Sequence, residues 1–247
     1  MIGGIIIKKI FFDTETTGLD CNDCQIIELA MITVIGGEIV EEYDEFIKID
    51  GVLPQKISEI TGITDKMLEN EGLPEEKVAL DLKERITENT LMIAHNCQFD
   101  LSFVYQLLKR HFPFEAYEIV RNADWLDTLT VLKDRKDYPH RLNNAVDRYK
   151  DEEFDDYEEV YNLNELNFHR AIDDTKALFE VYHKLKADLK KEYDMDILRY
   201  KNLFGFIPKW EPEEDEKFDF IDYVKQPYHN RGCLLPEKKL LPNIYRG

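Results

Sequence analysis

The chain has 247 residues, of which 43% are hydrophobic, and this size suits one sizeable α/β domain with an appendage rather than two full catalytic domains. Its 51 acidic side chains against 32 lysines and arginines give a formal net charge of −19, which argues against extensive binding along a nucleic-acid duplex. A pocket for a few nucleotides stays compatible with this charge, because divalent cations can supply the positive charge there.

The sequence predicts a cytoplasmic protein without a membrane span. No run of about 18 apolar residues occurs, and the first residues lack the charged and apolar regions of a signal peptide. The four cysteines, at positions 21, 24, 97 and 233, make no disulfide framework for a chain of this size. This cysteine usage agrees with a reducing compartment.

The first predicted strand runs from Ile5 to Phe12, where β-branched and aromatic residues indicate a central position in a sheet. It ends in two carboxylates, Asp13 and Glu15, before a turn at Gly18. Alternation along a strand places Asp13 and Glu15 on one face, so two like charges lie side by side at the end of a mostly buried element. Either both acids are solvated there, or a cation lies between them.

Periodicity and turn residues predict the following elements in chain order. The strands cover residues 25–35, 38–49, 90–94 and a short stretch from 124, and the helices cover residues 54–60, 75–88, 100–111, 142–149 and a short stretch from 65. Gly36 and Gly37 form a two-residue turn that makes the second and third strands an antiparallel pair. Thr64 is the expected N-cap of the second helix, and Asp127 or Thr128 caps the helix after the last strand.

Asp100 lies near the start of a predicted helix, directly after a buried strand. One interpretation is that Asp100 is a ligand for a cation. The other is that Asp100 is an acid favoured in the first helical turn by the helix dipole, and that Asn96 only caps the helix. His95 is interpreted as a packing or hydrogen-bonding residue at the strand end.

The last predicted helix opens within residues 168–177 and runs to about Lys191, and His169, Asp173 and Asp174 lie at its start. A spacing of five residues in one helix turns two side chains about 140° apart. His169 therefore must lie before the helix if it points to the same place as Asp174. As caps alone, the two aspartates would gain the same benefit from the helix dipole.

Three segments in this order resemble the motifs of the DnaQ-like 3′–5′ exonucleases, the proofreading epsilon-subunit family, in its histidine (DEDDh) branch. They are Asp-x-Glu-Thr-Thr-Gly-Leu from Asp13, Asn-x-x-Phe-Asp from Asn96, and His-x-Ala-x-x-Asp from His169. Together they are a strong signal, whereas any one alone is weak. The resemblance covers about residues 5–190 and fades beyond Lys191.

The resemblance implies a ribonuclease-H-like fold of the α/β class. Its five-stranded mixed sheet has three antiparallel strands, then parallel ones, and helices flank it. The implied catalytic residues are Asp13, Glu15, Asp100, Asp174 and His169, with the four acids holding two Mg²⁺ or Mn²⁺ ions and the histidine acting as general base. The implied substrate-binding residues are Thr16, Thr17, Gly18, Leu19, Thr61, Asn96 and Phe99. Asp127 is expected to support this site from behind.

The implied activity is metal-dependent 3′–5′ hydrolysis of the terminal phosphodiester of single-stranded DNA, in proofreading, repair or end trimming, with release of nucleoside 5′-monophosphates. One alternative is an exoribonuclease acting on short RNA, because the motifs do not separate ribose from deoxyribose. Others are a non-catalytic nucleic-acid or polymerase-tethering module, and an acidic interaction protein, which rests on net charge alone. Expected partners are a single-stranded 3′ end and a polymerase or another replication or repair protein.

The sequence predicts an exonuclease domain over residues 1–191 and a C-terminal extension over residues 192–247. The extension contains aromatic residues and five of the nine prolines, which is typical of an extended arm rather than a second domain. Its function is not readable from the sequence. It either packs on the core or binds a partner through the aromatic residues and the Lys238-Lys239 pair.

Overall fold

The computed structural model describes residues 7–202. The strands are β1 (Lys8–Thr16), β2 (Ile26–Ile35), β3 (Glu38–Phe46), β4 (Thr90–Ala94) and β5 (Asp124–Asp127). The helices are α1 (Gln55–Thr61), α2 (Asp65–Glu71), α3 (Glu75–Arg85), α4 (Cys97–His111), α5 (Ala116–Asn122), α6 (Thr128–Arg135), α7 (Leu142–Tyr149) and α8 (Ala171–Tyr193). Short 3-10 turns cover Leu163–Glu165 and Ile197–Tyr200. Within this range, no helix has the length and apolar character needed to span a bilayer.

The sheet has the strand order β3-β2-β1-β4-β5, with β1, β2 and β3 antiparallel and β4 and β5 parallel to β1. The predicted five-stranded mixed sheet with flanking helices is confirmed. The turn between β2 and β3 is also confirmed, since Gly36 and Gly37 have φ angles of 64° and 95° in the left-handed region that favours glycine.

β1 is central, as predicted, but it ends later than predicted. It continues through Thr16, so Asp13 and Glu15 lie inside the strand rather than after it. The reason is that β2 pairs with this part of β1, placing Glu15 opposite Glu28, whereas pairing with β4 stops at Phe11. Beyond Phe11, the side of β1 that faces β4 is therefore free of strand pairing.

Helices cover both faces of the sheet. Ile10 and Phe12 of β1 pack into one core with α3 and α4, and Phe11 packs into the other core with α6, α7 and α8. Phe11 makes edge contacts with Phe179 and Tyr182 of α8, with ring centroids 5.0 and 5.1 Å apart. The predicted apolar stripe of α8 is buried throughout; its members are Leu178, Val181, Leu185 and Leu189.

Several boundaries differ from the predicted ones by a few residues. β3 ends at Phe46 and α3 at Arg85, while α5 was not predicted at all, because a seven-residue helix depends on packing more than on periodicity. α8 ends at Tyr193.

The first part of the predicted extension packs on the core. Ile197 and Tyr200 are buried, and the Asn202 side chain accepts from the Trp125 amide at 2.9 Å. Residues 1–6 and 203–247 lie outside the described residues, and with them lie all five prolines of the extension and the Lys238-Lys239 pair.

Two leucines of α3 give a matched test of the core. Leu82 is fully buried, whereas Leu80 is 40% exposed on the same helix. We expect Leu82→Ala to lower the free energy of unfolding by about 2–5 kcal/mol, because it removes buried methyl groups and leaves a cavity. Leu80→Ala should cost less than about 1 kcal/mol. Chemical denaturation of both variants measures the difference, and equal losses would contradict this packing.

Candidate active site

The two acids of the first motif face α8. Phe11 contacts α8, and side chains alternate along β1, so Asp13 and Glu15 share that face while Thr14 points to the α4 face. This agrees with the predicted pairing of Asp13 and Glu15. Among the described residues, none forms a hydrogen bond with either carboxylate.

Asp100 is attached to β1 from the opposite face. It lies in the first turn of α4, is 3% exposed, and its Oδ1 accepts from the Thr14 amide at 3.1 Å and from the Thr14 hydroxyl at 2.7 Å. Thr14 therefore positions Asp100, a role that sequence reasoning missed. The available signal was strand alternation, which separates Thr14 from the two neighbouring acids.

Asp127 supports the start of α4, and the sequence placed it behind the site. Its Oδ1 accepts from the Asn96 amide at 2.9 Å, and it also caps α6 through the Leu129 amide at 3.0 Å. His95 is a hydrogen-bonding residue, as interpreted from the sequence: its ring lies 3.0 Å from the Thr128 hydroxyl and 2.8 Å from the His140 carbonyl oxygen.

The third motif brings a histidine to the acids. α8 begins at Ala171, so His169 lies before the helix, as its geometry with Asp174 required. His169 is exposed, has a φ of 74°, and donates its amide hydrogen to Asp174 Oδ2 at 3.0 Å. One side-chain ligand atom from each of Glu15, His169 and Asp174 lies within 4.8 Å of the other two. Asp173 instead accepts from the Asn167 amide at 3.1 Å.

Crowding and burial disfavour the charged forms of the acids. Burial raises the pKa of Asp13 well above its ordinary range, and the Asp100, Asp174 and Glu15 carboxylates raise it further. Burial and the Asp174 charge raise the pKa of Glu15 to about 8.

The two helix-borne acids are shifted as well. Burial raises the pKa of Asp100 to about 7 even though hydrogen bonds from Thr14 favour its charged form. Burial likewise raises the pKa of Asp174 to about 7, against the opposing hydrogen bond from the His169 amide. With pKa values raised in this way, the four acids are not all ionised at neutral pH unless a positive charge lies close to them.

This donor set fits divalent magnesium or manganese. Carboxylate oxygens are the hard ligands that these ions prefer, and an imidazole at the edge of the set is compatible with Mn²⁺. The carboxylates of Asp13 and Glu15 have no hydrogen-bond donor among the described residues, so their lone pairs are available. The chemistry of the donors therefore agrees with the ions that the motifs imply.

The turn after the first motif is held by its own threonines. The Thr16 hydroxyl donates to the Gly18 carbonyl at 2.6 Å, and the Thr17 hydroxyl accepts from the Gln25 amide at 3.0 Å. A Cβ at Gly18 would lie 2.7 Å from Cys24 Sγ, so a larger residue would force a shift there. The turn presents Leu19 to solvent with 86% of its surface exposed.

The other predicted substrate residues differ in accessibility. Leu19 and Phe99 line an open groove of about 230 Å³, together with residues of the first turns of α4. Asn96 is exposed, with a left-handed φ of 72°, and its side chain does not cap α4. Thr61 is 6% exposed, and its hydroxyl donates to the Ile57 carbonyl at 3.0 Å and accepts from the Ile63 amide at 3.1 Å. The Thr61 side chain is thus engaged in its own turn.

Comparison with known proteins assigns the family. The exonuclease family model, RNase_T, matches residues 10–182, which is most of the chain. The chain therefore belongs to this exonuclease family, and the resemblance to the DnaQ-like exonucleases is confirmed.

Curated relatives include PolC-type DNA polymerase III of Thermotoga maritima, 31% identical over 96% of this chain and 15% of the relative. PolC-type DNA polymerase III of Bacillus subtilis is 34% identical over 72% of this chain and 11% of the relative. The chain thus spans only about a seventh of the length of the Thermotoga protein.

Solved structures share the fold. E. coli exonuclease I in complex with a dT13 oligonucleotide has a TM-score of 0.61 at 18% identity, covering 76% of this chain and 43% of that chain. Exonuclease X in complex with 5′ overhanging duplex DNA has a TM-score of 0.52 at 20% identity, covering 78% of this chain and 96% of that chain.

The raised pKa values predict how the metal-free protein responds to pH. Unfolded carboxyls have a pKa near 4, so from about pH 5 up to their own raised pKa values the folded acids hold protons that the unfolded chain has released. With chelator present, the contribution of Asp100 and Asp174 to stability should fall as pH rises to about 7, and that of Glu15 should fall as pH rises to about 8, after which both level off. Thermal unfolding measures this fall. Saturating Mg²⁺ should remove most of it, because bound cations favour the ionised acids.

Glu15→Gln is the control for this effect. Glu15 has a higher pKa than Asp100 and Asp174, so this substitution should make the loss of stability near pH 8 shallower. A metal-free melting temperature that rises across this range, or one that does not change, would contradict the electrostatic account.

Proposed function

We propose that this protein is a metal-dependent 3′–5′ exonuclease that hydrolyses the terminal phosphodiester of single-stranded DNA and releases nucleoside 5′-monophosphates. The observation that carries the proposal is the convergence of Glu15, His169 and Asp174 within 4.8 Å, next to Asp13 and Asp100. Membership of the exonuclease family supports a nuclease. An inactive relative has no need to gather a full set of acids at this electrostatic cost.

In this proposal, Asp13, Glu15, Asp100 and Asp174 hold two Mg²⁺ or Mn²⁺ ions. When bound, such ions activate water as a nucleophile and neutralise charge on a phosphate. Thr14 fixes one acid against β1, and the His169 amide fixes another at the start of α8. The set is therefore preorganised by elements that belong to the core.

His169 is proposed as the general base, which removes a proton from the attacking water at an imidazole nitrogen. Its side chain is exposed and lies outside α8, so it can approach a substrate without disturbing helix packing. Its ring nitrogen lies within 4.8 Å of a carboxylate oxygen on both Glu15 and Asp174, which keeps it next to the reacting phosphate in this scheme.

The turn at Thr16, Thr17 and Gly18 is proposed to position the terminal nucleotide by shape, since both hydroxyls are used to hold the turn. Leu19 is exposed above the groove it shares with Phe99, where apolar surface can pack against a base. Exposed Asn96 is proposed to contact the nucleotide directly. We assign Thr61 a role in shaping its turn, because its hydroxyl is already paired.

Two comparisons favour DNA as substrate. The exonuclease I neighbour is in complex with a dT13 oligonucleotide, and the curated relatives are PolC-type DNA polymerases. We propose that the domain over residues 1–191 performs hydrolysis in the cytoplasm, with a polymerase or another replication or repair protein as partner. The segment over residues 192–247 is proposed as an extension outside the catalytic unit.

Degradation of labelled oligonucleotides tests the proposal. A 5′-labelled single-stranded DNA should shorten progressively with Mg²⁺ or Mn²⁺ present, because hydrolysis begins at the 3′ end, and chelator should stop it. A duplex control should be degraded more slowly, since a net charge of −19 disfavours long phosphate contacts. Faster degradation of RNA of the same sequence would replace DNA by RNA as substrate. Chelator-resistant hydrolysis would exclude the metal assignment.

Two adjacent aspartates give a sharper prediction. Asp174 lies within the acid group, whereas Asp173 accepts from the Asn167 amide away from it. Asp174→Asn should abolish both hydrolysis and metal-induced thermal stabilisation, because a charged ligand is lost. Asp173→Asn keeps an oxygen acceptor and should change either property only slightly. Equal losses, or a larger loss from Asp173→Asn, would show that the metal ligand is misassigned.

A further inference from the structure

A buried acid outside the three motifs lies beside the site. Glu28 of β2 has no exposed surface and stands opposite Glu15 in the pairing of β1 with β2. Its Oε1 accepts from Arg170 Nε at 3.0 Å and from Arg170 Nη2 at 2.7 Å. Its Oε2 accepts from the Ala171 amide at 3.0 Å. Both oxygens are thus occupied by donors, which distinguishes Glu28 from Asp13 and Glu15.

Arg170 is the residue between His169 and the first residue of α8. It occupies the N-cap position with an extended backbone and provides no side-chain cap of its own. The cap comes instead from Glu28, which accepts one of the first amide hydrogens of the helix. The Arg170 guanidinium lies 5.2 Å from the centre of the Phe46 ring, so an aromatic face supports it from the sheet. This arrangement ties the start of α8 to β2 and β3.

The backbone around His169 needs such an anchor. His169 has a φ of 74°, a left-handed conformation that costs free energy in a residue other than glycine and persists only when its surroundings hold it. On the amino-terminal side, the Asn167 amide donates to Asp173. On the carboxy-terminal side, the Arg170 side chain and the Ala171 amide are held by Glu28.

The ion pair between Glu28 and Arg170 is a buried structural contact rather than a loose surface contact. Glu28 is fully buried and only a third of the Arg170 side chain is exposed. Removing one partner would leave a buried charge without its counterion, which is costly. The guanidinium also fixes the orientation of the Arg170 side chain, because two of its N–H groups donate to the same carboxylate.

We propose that Glu28 and Arg170 are positioning residues that hold His169 at the acid cluster. Neither touches the reacting atoms in this scheme; both act through the backbone of the segment that carries the histidine. The catalytic part of this inference rests on the proposed function, whereas the positioning itself is a property of the folded chain.

The positioning is tested first without an activity assay. In Arg170→Ala, we expect ¹⁵N relaxation to show larger motion of the His169 and Ala171 amides, while amides from Thr175 onward in α8 stay rigid. Arg85→Ala is the matched control, because Arg85 makes a similar two-point contact with Glu41 at the opposite end of β1. Unchanged mobility in Arg170→Ala, or equal changes in both variants, would overturn the inference.

Kinetics test the consequence for hydrolysis. Arg170→Ala should lower kcat about 10- to 100-fold with KM within about twofold of wild type, because a small displacement of a catalytic group is costly while binding is retained. Arg170→Lys restores the charge but not the two-point contact, so kcat should recover in part. Arg85→Ala should leave kcat unchanged. A rise in KM instead would indicate that Arg170 binds substrate phosphate.

The dependence on His169 is tested by combining substitutions. In a His169→Ala background, adding Arg170→Ala should change kcat less than about threefold, because the group being positioned is already absent. A full 10- to 100-fold further loss would overturn the inference. An inactive wild-type protein would refute the proposed function, and the relaxation measurement would still decide whether the pair holds His169.

Discussion

The central constraint in this protein is the repulsion among carboxylates that share one small, partly buried region. Asp13 and Glu15 come from the strand at the middle of the sheet, and Asp100 and Asp174 come from the first turns of two helices. Burial raises the pKa of all four acids, and repulsion from neighbouring carboxylates raises it further. Hydrogen-bond donors on neighbouring residues stabilise the two acids on the helices. In the proposed scheme, cations stabilise the two acids on β1.

The sheet makes room for this cluster. β1 pairs with β2 from Lys9 to Thr16 but separates from β4 after Phe11, and β4 itself ends at Ala94. Two helices then begin next to the open part of β1, each with an acid in its first turn. Positive helix N-termini are favourable neighbours for carboxylates, so the fold offsets part of the repulsion before any ion binds. The same arrangement fixes which acids can meet.

The location of charge reconciles an acidic protein with a nucleic-acid substrate. A net charge of −19 opposes long contacts with phosphates, yet the divalent ions of the proposed scheme would attract one phosphate locally. Arg170 is a permanent cation at the edge of this cluster, held on Glu28.

The sequence by itself determined most of the elements and the order of the motifs. Strand and helix periodicity depends on neighbouring residues, so β2, β4 and the buried stripe of α8 were predictable. Helical geometry likewise required His169 to lie before α8. The resemblance to the third family motif also implied Asp174 rather than Asp173, and the structure places Asp174 with Glu15.

Only the tertiary structure decided which distant residues hold the site together. Thr14 and Asp100 are 86 positions apart, and Glu28 and Arg170 are 142 apart. Neither pair is visible in local periodicity, because each forms only when a helix docks on a particular face of the sheet. The hydrogen bonds of the Thr61 hydroxyl could not be predicted from the sequence for the same reason, because the path of the turn decides whether this side chain faces solvent. Local sterics and hydropathy encode elements, whereas side-chain partners depend on how those elements pack.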